Sequence, residues 1–175
     1  MNVPFSLTTG APAGLLRRLA ALLYDVLLSI ALAFVATFAL LPLSGGEAIL
    51  TSTQGVTGHL YHALLFLLLL GYFGLCWTRG GQTLGMKAWR IRLQADDGRQ
   101  LNWADAVVRF MAGVAITLMA GAGSVLLLRH DRWPEFLVGG LLWAPAIVNF
   151  AWIAFDDSAR SLQDRAGRVR VTRLG

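Results

Sequence analysis

The stretch Arg17-Arg18-Leu19-Ala20-Ala21-Leu22-Leu23-Tyr24-Asp25 decides how this chain reads. It opens an apolar run that reaches about Pro42, and from Leu19 to Leu41 the only charge is Asp25. A helix of that length spans ~30 Å of hydrocarbon. Arg18 and Asp25 are seven residues apart, so they share nearly one helical stripe, roughly 10 Å apart along the axis. A carboxylate two turns into such a helix costs about 2.5–3.5 kcal/mol unless it meets water or a partner. Polar groups elsewhere in the chain are the candidates for that partnership.

The rest of the composition points the same way. Of 175 residues, 56% are hydrophobic, and they come in blocks too long for a soluble core. Further apolar runs extend from Leu60 to Trp77, from Phe110 to Leu128 and from Pro134 to Phe155. The expected fold is an all-α integral membrane bundle of four transmembrane helices, at about 15–42, 57–78, 103–128 and 134–156. Residues 1–13 read as a loose cytosolic leader and 157–175 as a basic cytosolic tail, around a membrane domain over 14–171. Pro42, Ser44, Gly45 and Gly46 stop the first run. The first run is too long for the apolar part of a cleaved signal, so it serves as its own anchor.

Charge placement sets the topology. With both termini in the cytosol, the cytosolic segments hold thirteen of the fifteen Lys/Arg residues, and the outer loops hold only Arg129 and Arg132. The positive-inside rule favours that orientation. A net charge of +5 therefore reports topology, and no nucleic-acid partner is expected. Between the second and third runs, Lys87 to Gln94 alternates in polarity and Asp97-Gly98 is a turn signal. This reads as a short basic amphipathic hairpin, with an amphipathic helix as the rival reading. Asn102 or a neighbour caps the third helix, and Asp105 and Arg109 form an i,i+4 pair in its first turns. Gly113, Thr117, Gly121 and Gly123 leave that helix a small face, read as internal packing with a dimer seam as the alternative.

Other chemistry is sparse. The single Cys76 sits in an apolar run and reads as an inert thiol. His59 and His62 share a helix face without a third ligand nearby, so they read as interfacial polar groups and no metal is expected. Asp96-Asp97 and Asp156-Asp157 read as a turn and a helix end. There is no nucleophile elbow, zinc-protease motif, P-loop or dinucleotide fingerprint, so neither an enzyme nor a cofactor is expected.

Several short motifs follow one another in order. Arg18, Ala21 and Asp25 form R-x-x-A-x-x-x-D. Gly81, Thr83, Gly85 and Lys87 form G-x-T-x-G-K with Met86 inserted before the lysine. Asp97-Gly98 and Arg109 follow, then Ser161-Leu162-Gln163-Asp164-Arg165. From about Gly14 to Val171 the chain resembles the RDD family of bacterial membrane proteins, named for an arginine and two aspartates. In that resemblance Asp164 is the second aspartate, Gln163 replaces a common histidine, and Arg168 lies near a common threonine. It implies a bacterial cytoplasmic (inner) membrane protein and a transport-related role, cation/proton antiport among the proposals.

Three roles are open at this point. In the first, Asp25 pairs with Arg109 or Arg18, Arg109 being preferred by depth, Asp164 ties the tail to an arginine, and the network only clasps helices together. In the second, Asp25 is the proton or cation site of a small exchanger, with Asn149 and Asp156 as further candidates and Na⁺, K⁺, Li⁺ or H⁺ as cargo. A thin four-helix pathway would then call for a homo-oligomer. In the third, the basic cytosolic segments bind a protein partner or anionic lipid.

Overall fold

The computed structural model describes residues 11–44, 55–129, 133–156 and 160–174. The expectations for residues 1–10, Gly45, Gly46, Arg132 and Asp157 lie outside them. Four helices are long and apolar enough to cross a membrane: α1 (Leu15–Leu40), α2 (Val56–Gly80), α4 (Trp103–Arg129) and α5 (Trp133–Phe155). Their large apolar side chains point outward, among them Leu16, Leu27, Phe34, Phe38, Leu118 and Phe136. Exposed apolar surface of that extent, on helices long enough to span hydrocarbon, is consistent with a membrane protein. A 3₁₀ turn over Leu41–Ser44, with Pro42 at its second position, ends α1. Gly81, at φ 67°, ends α2 in the left-handed conformation that glycine adopts without cost. Asn102 and Asp105 cap α4 reciprocally, each side chain accepting the other's backbone N–H at 2.8 and 3.1 Å. Pro145 lies within α5 without breaking it.

The chain is not wholly helical, because four short elements close one end of the bundle. They are α3 (Leu84–Ala88), β1 (Ile91–Ala95), α6 (Leu162–Ala166) and β2 (Val169–Arg173). The expected local hairpin is replaced by long-range pairing: β1 runs antiparallel to β2, with Leu93 opposite Val171. The Asp97-Gly98 turn does form, with Gly98 at φ 82°. The chain then runs directly into α4 through buried Leu101, which leaves no room for a returning strand. Residues 11–13 are not loose either. Pro12 bridges to Thr172, the Ala13 N–H donates to the Val171 carbonyl at 3.0 Å, and Ala13 is fully buried. The apolar core lies beneath this cap, where Ile91, Leu93, Val169 and Val171 meet Trp77, Met86 and Phe110.

The cap is built twice from one design. Thr83-Leu84-Gly85-Met86-Lys87-Ala88-Trp89-Arg90-Ile91-Arg92-Leu93 and Ser161-Leu162-Gln163-Asp164-Arg165-Ala166-Gly167-Arg168-Val169-Arg170-Val171 correspond position by position. Each begins with a hydroxyl cap, forms a five-residue helix, turns at an arginine with φ 52° or 51°, and ends in a five-residue strand. Their hydrogen bonds correspond as well. Trp89 N–H to Gly85 carbonyl matches Gly167 to Gln163, and Arg90 to Lys87 matches Arg168 to Arg165. Asp96 N–H to Arg168 carbonyl matches Leu174 to Arg90 across the sheet. The strand register is unchanged when the two copies are exchanged, which is a local two-fold relation centred on Leu93 and Val171. Each copy follows two membrane helices, α1 and α2 or α4 and α5.

Packing within the two halves differs. A Cβ at Gly123 would lie 2.6 Å from the Gly139 carbonyl oxygen, so α4 and α5 approach backbone to backbone. Of the small residues on α4 only Gly123 takes part in this contact; Thr117 and Gly121 are exposed, with nothing packed over Gly121, so the small face as a whole is not an internal packing face. By contrast α1 packs chiefly on α3 and touches α2 and α5 only lightly.

Candidate functional site

In the first half, the cap receives Asp25. One turn before it on α1, the Ala21 carbonyl lies against Gly85, where a Cβ would collide with it and stand 2.8 Å from Asp25 Oδ1. The missing side chain lets α3 settle onto α1. The Gly85 N–H then donates to Asp25 Oδ1 at 3.0 Å, and Thr83 Oγ1 donates to Oδ2 at 2.5 Å. Thr83 has a second task, because the same oxygen caps α3 by accepting the Met86 N–H at 3.1 Å. Met86, the insertion in the motif, is buried in the core. Asp25 is only 6% exposed, and among the described residues no arginine or lysine reaches it.

That corrects the expected partnership of Asp25 with Arg109 or Arg18. In the second half both arginines go to Asp164, which is fully buried. Arg18 Nη1 lies 2.6 Å from Oδ2, and Arg109 Nη1 pairs with Oδ1. Asp164 also closes a capping box, accepting the Ser161 N–H at 3.0 Å while its own N–H donates to Ser161 Oγ. Arg18 Nε donates to the Ala13 carbonyl at 2.9 Å, and the Arg109 guanidinium lies over the Trp77 ring, 5.2 Å from its centroid. This clasp joins α1, α4 and the C-terminal cap. The expected Asp105–Arg109 pair is absent too: Asp105 instead takes Arg99 at 2.6 Å. A single-helix spacing argument could not see Asp164, which enters from the far end of the sequence.

The remaining candidates divide. Asn149 is 2% exposed, and its Oδ1 accepts the Gln163 N–H at 3.2 Å. The Gln163 side chain lies over Gly113, where a Cβ would stand 3.1 Å from Oε1. Asp156 is engaged by Arg160 at 3.3 Å and Arg165 at 3.5 Å, and Arg165 also stacks on Trp152. The Arg160 backbone N–H foremost holds Asp156 below the ordinary carboxylate range; burial opposes it, and the Arg160 side chain and the charges of Arg160 and Arg165 add to the lowering. Lys87 is exposed at the end of α3, and Gly81 binds β1 by accepting the Leu93 N–H at 2.7 Å. His59 and His62 turn Nδ1 toward carbonyls four residues back, and the described residues hold no metal-ligand cluster.

A cavity of about 520 Å³ lies between the membrane helices and the cap. Arg18, Asp25, Arg109, Asn149, Gln163 and Asp164 line it, with Ser29 and Thr117 also on its wall. The rest of the lining is largely apolar, including Phe73, Trp77, Phe110 and Phe150. Asp156, Lys87, Arg165 and the motif glycines Gly81 and Gly85 are not on its wall. The site thus combines a charged clasp, a carboxylate held only by neutral donors, and an apolar chamber. Motif reading marks Gln163 only as a departure from a common histidine and misses the paired cap copies, although the 78-residue repeat is visible once the two segments are aligned.

The RDD family model matches residues 12–168, and the chain belongs to the RDD family. No curated protein and no solved structure matches it.

Proposed function

We propose, from membership of this membrane family, that the protein is a small ion-coupled transporter that exchanges a proton for a monovalent cation at Asp25. One observation carries the reading: Asp25 faces the cavity while both its oxygens meet only neutral donors. An ionised carboxylate held only by neutral donors in that position carries a desolvation cost, and a proton or a cation bound directly to it relieves that cost. Asp164 already absorbs both nearby arginines, so Asp25 is free to change occupant without undoing the clasp. Na⁺, K⁺ and Li⁺ are the first cargoes to try. The capped end would face the cytosol of a bacterial inner membrane, because thirteen of fifteen Lys/Arg residues fall on that side. Four helices make a thin pathway, so a homo-oligomer is the expected working form.

Proton release from reconstituted vesicles on addition of each cation tests the exchange. The expected result is a cation-dependent signal in wild type that is lost in Asp25→Asn, with gel filtration showing the variant folded. Unchanged exchange in that variant would sink the proposal.

A second reading rests on exposed Lys87, Arg90, Arg168 and Arg173 on the cap. An accessory protein would use this basic surface to hold an acidic partner or anionic lipid, at about 1 kcal/mol for each basic residue near the surface. Partner release at high salt without any cation-driven proton movement would favour it.

A further inference from the structure

The cavity is larger and more apolar than an alkali ion alone would need. Its ~520 Å³ volume falls within the roughly 300–1,000 Å³ of pockets that enclose drug-sized molecules. An alkali ion leaving water needs a shell of oxygens in exchange. Here the oxygen-bearing side chains on the wall, Asp25, Ser29, Thr117, Asn149 and Gln163 among them, are few beside its apolar lining. Phe73, Trp77, Phe110 and Phe150 offer aromatic surface instead. Such surface attracts cations, and in an apolar chamber it suits those with greasy substituents.

The charge balance limits the occupant further. Arg18, Arg109 and Asp164 together carry +1, and ionised Asp25 brings the wall to zero. A proton on Asp25 gives +1, and so does a bound monocation beside the ionised carboxylate. The two states are electrostatically equivalent, whereas a dication would add a second unpaired charge. α1 meets α2 and α5 only lightly, so it is the helix whose displacement would admit a hydrophobic cation from the bilayer. Wall residues come from both halves of the repeated design, and membrane transport sites commonly lie at such repeat interfaces.

We infer that the cavity binds a hydrophobic organic monocation, a quaternary phosphonium or ammonium or an apolar amine, with Asp25 as its counter-ion. This rests on Asp25 exchanging a proton, and it names the cargo class. The probe is tetraphenylphosphonium, with binding to the purified full-length protein in detergent followed by equilibrium dialysis and proton release followed in weak buffer. Saturable binding is expected, with one proton released per cation bound wherever Asp25 is protonated beforehand. In that acidic range affinity should fall tenfold for each unit of pH. Asp25→Asn should weaken binding at least tenfold, and so should Ala146→Phe, which fills the chamber. Val114→Phe replaces the latter if it fails to fold.

Absence of phosphonium binding, with proton release by Na⁺, K⁺ or Li⁺ intact, would overturn this inference and leave exchange at Asp25 standing. Absence of both responses would overturn both. Phosphonium binding equally tight in folded Asp25→Asn would mark the chamber as an unspecific apolar hole and overturn the inference.

Discussion

The two copies of the cap share a backbone and differ in what they hold. In the first, Thr83 and Gly85 present neutral donors to one carboxylate from α1. In the second, Asp164 stands where Met86 stands in the first and draws two arginines out of α1 and α4. Gln163 stands where Gly85 stands, and its side chain fills the space over Gly113. In the first copy the glycine lies on the cap and the protruding side chain, Asp25, on the membrane helix; in the second this is reversed. The lesson is that one fold element can serve as a seat for a changeable charge or as a permanent clasp, and two side chains decide which.

The comparison is broken most severely at Asp164. Replacing it with Ala leaves Arg18 and Arg109 buried without a counter-charge, which should cost about 3–5 kcal/mol. Loss of the monodisperse peak or a large fall in thermal midpoint in detergent would show it. Asp25→Asn keeps an oxygen for the Gly85 N–H and an amide for Thr83, so its cost should be about 1 kcal/mol. Equal damage from the two variants would contradict the division of labour.

Gly85→Ala should come next. Its methyl would collide with the Ala21 carbonyl and press on Asp25 Oδ1, for a cost of about 1–3 kcal/mol and loss of exchange. Gln163→Ala, at the matching position of the second copy, removes a side chain without creating a collision and should leave the fold intact. Limited proteolysis of the segment around α3 distinguishes the two.

The twin arginines at positive φ sharpen the symmetry itself. Arg90→Gly and Arg168→Gly each relieve a left-handed residue, and each should raise stability by similar amounts of up to about 1 kcal/mol. A gain at one site with a loss at the other would show that the turns are not equivalent.

The smallest effect concerns pH. Asp156 is held below its ordinary value, so its contribution to stability is fully present above the unfolded value of 3.8 and fades as pH falls through the lower folded one. Acid titration of thermal stability should show a slope below about pH 4 that Asp156→Asn reduces.

Much of this architecture is legible in the sequence, and the illegible parts share one cause. The four membrane helices stand out because each apolar run is long enough to span hydrocarbon by itself. The Asn102 cap is also a local signal, whereas the small α4 face packs internally only at Gly123. Pairing is not local. Ile91–Ala95 reads as a strand from alternation, but its partner lies some eighty residues further on. Arg109 matches Asp25 in depth, yet depth along one helix says nothing of a carboxylate brought in by the tail. Thr83 and Gly85 belong to a recognisable motif, but only their docking on Ala21 shows that Asp25 is what they serve.

The most direct test is the infrared difference spectrum of the purified protein before and after cation addition, with tetraphenylphosphonium and Na⁺ tried separately. The expected result is loss of a protonated-carboxyl C=O band in wild type as the cation replaces the proton, with no such change in folded Asp25→Asn. A cation-sensitive carboxyl band that survives in Asp25→Asn, or none in wild type with either cation, would contradict the assignment of Asp25 as the exchanging group.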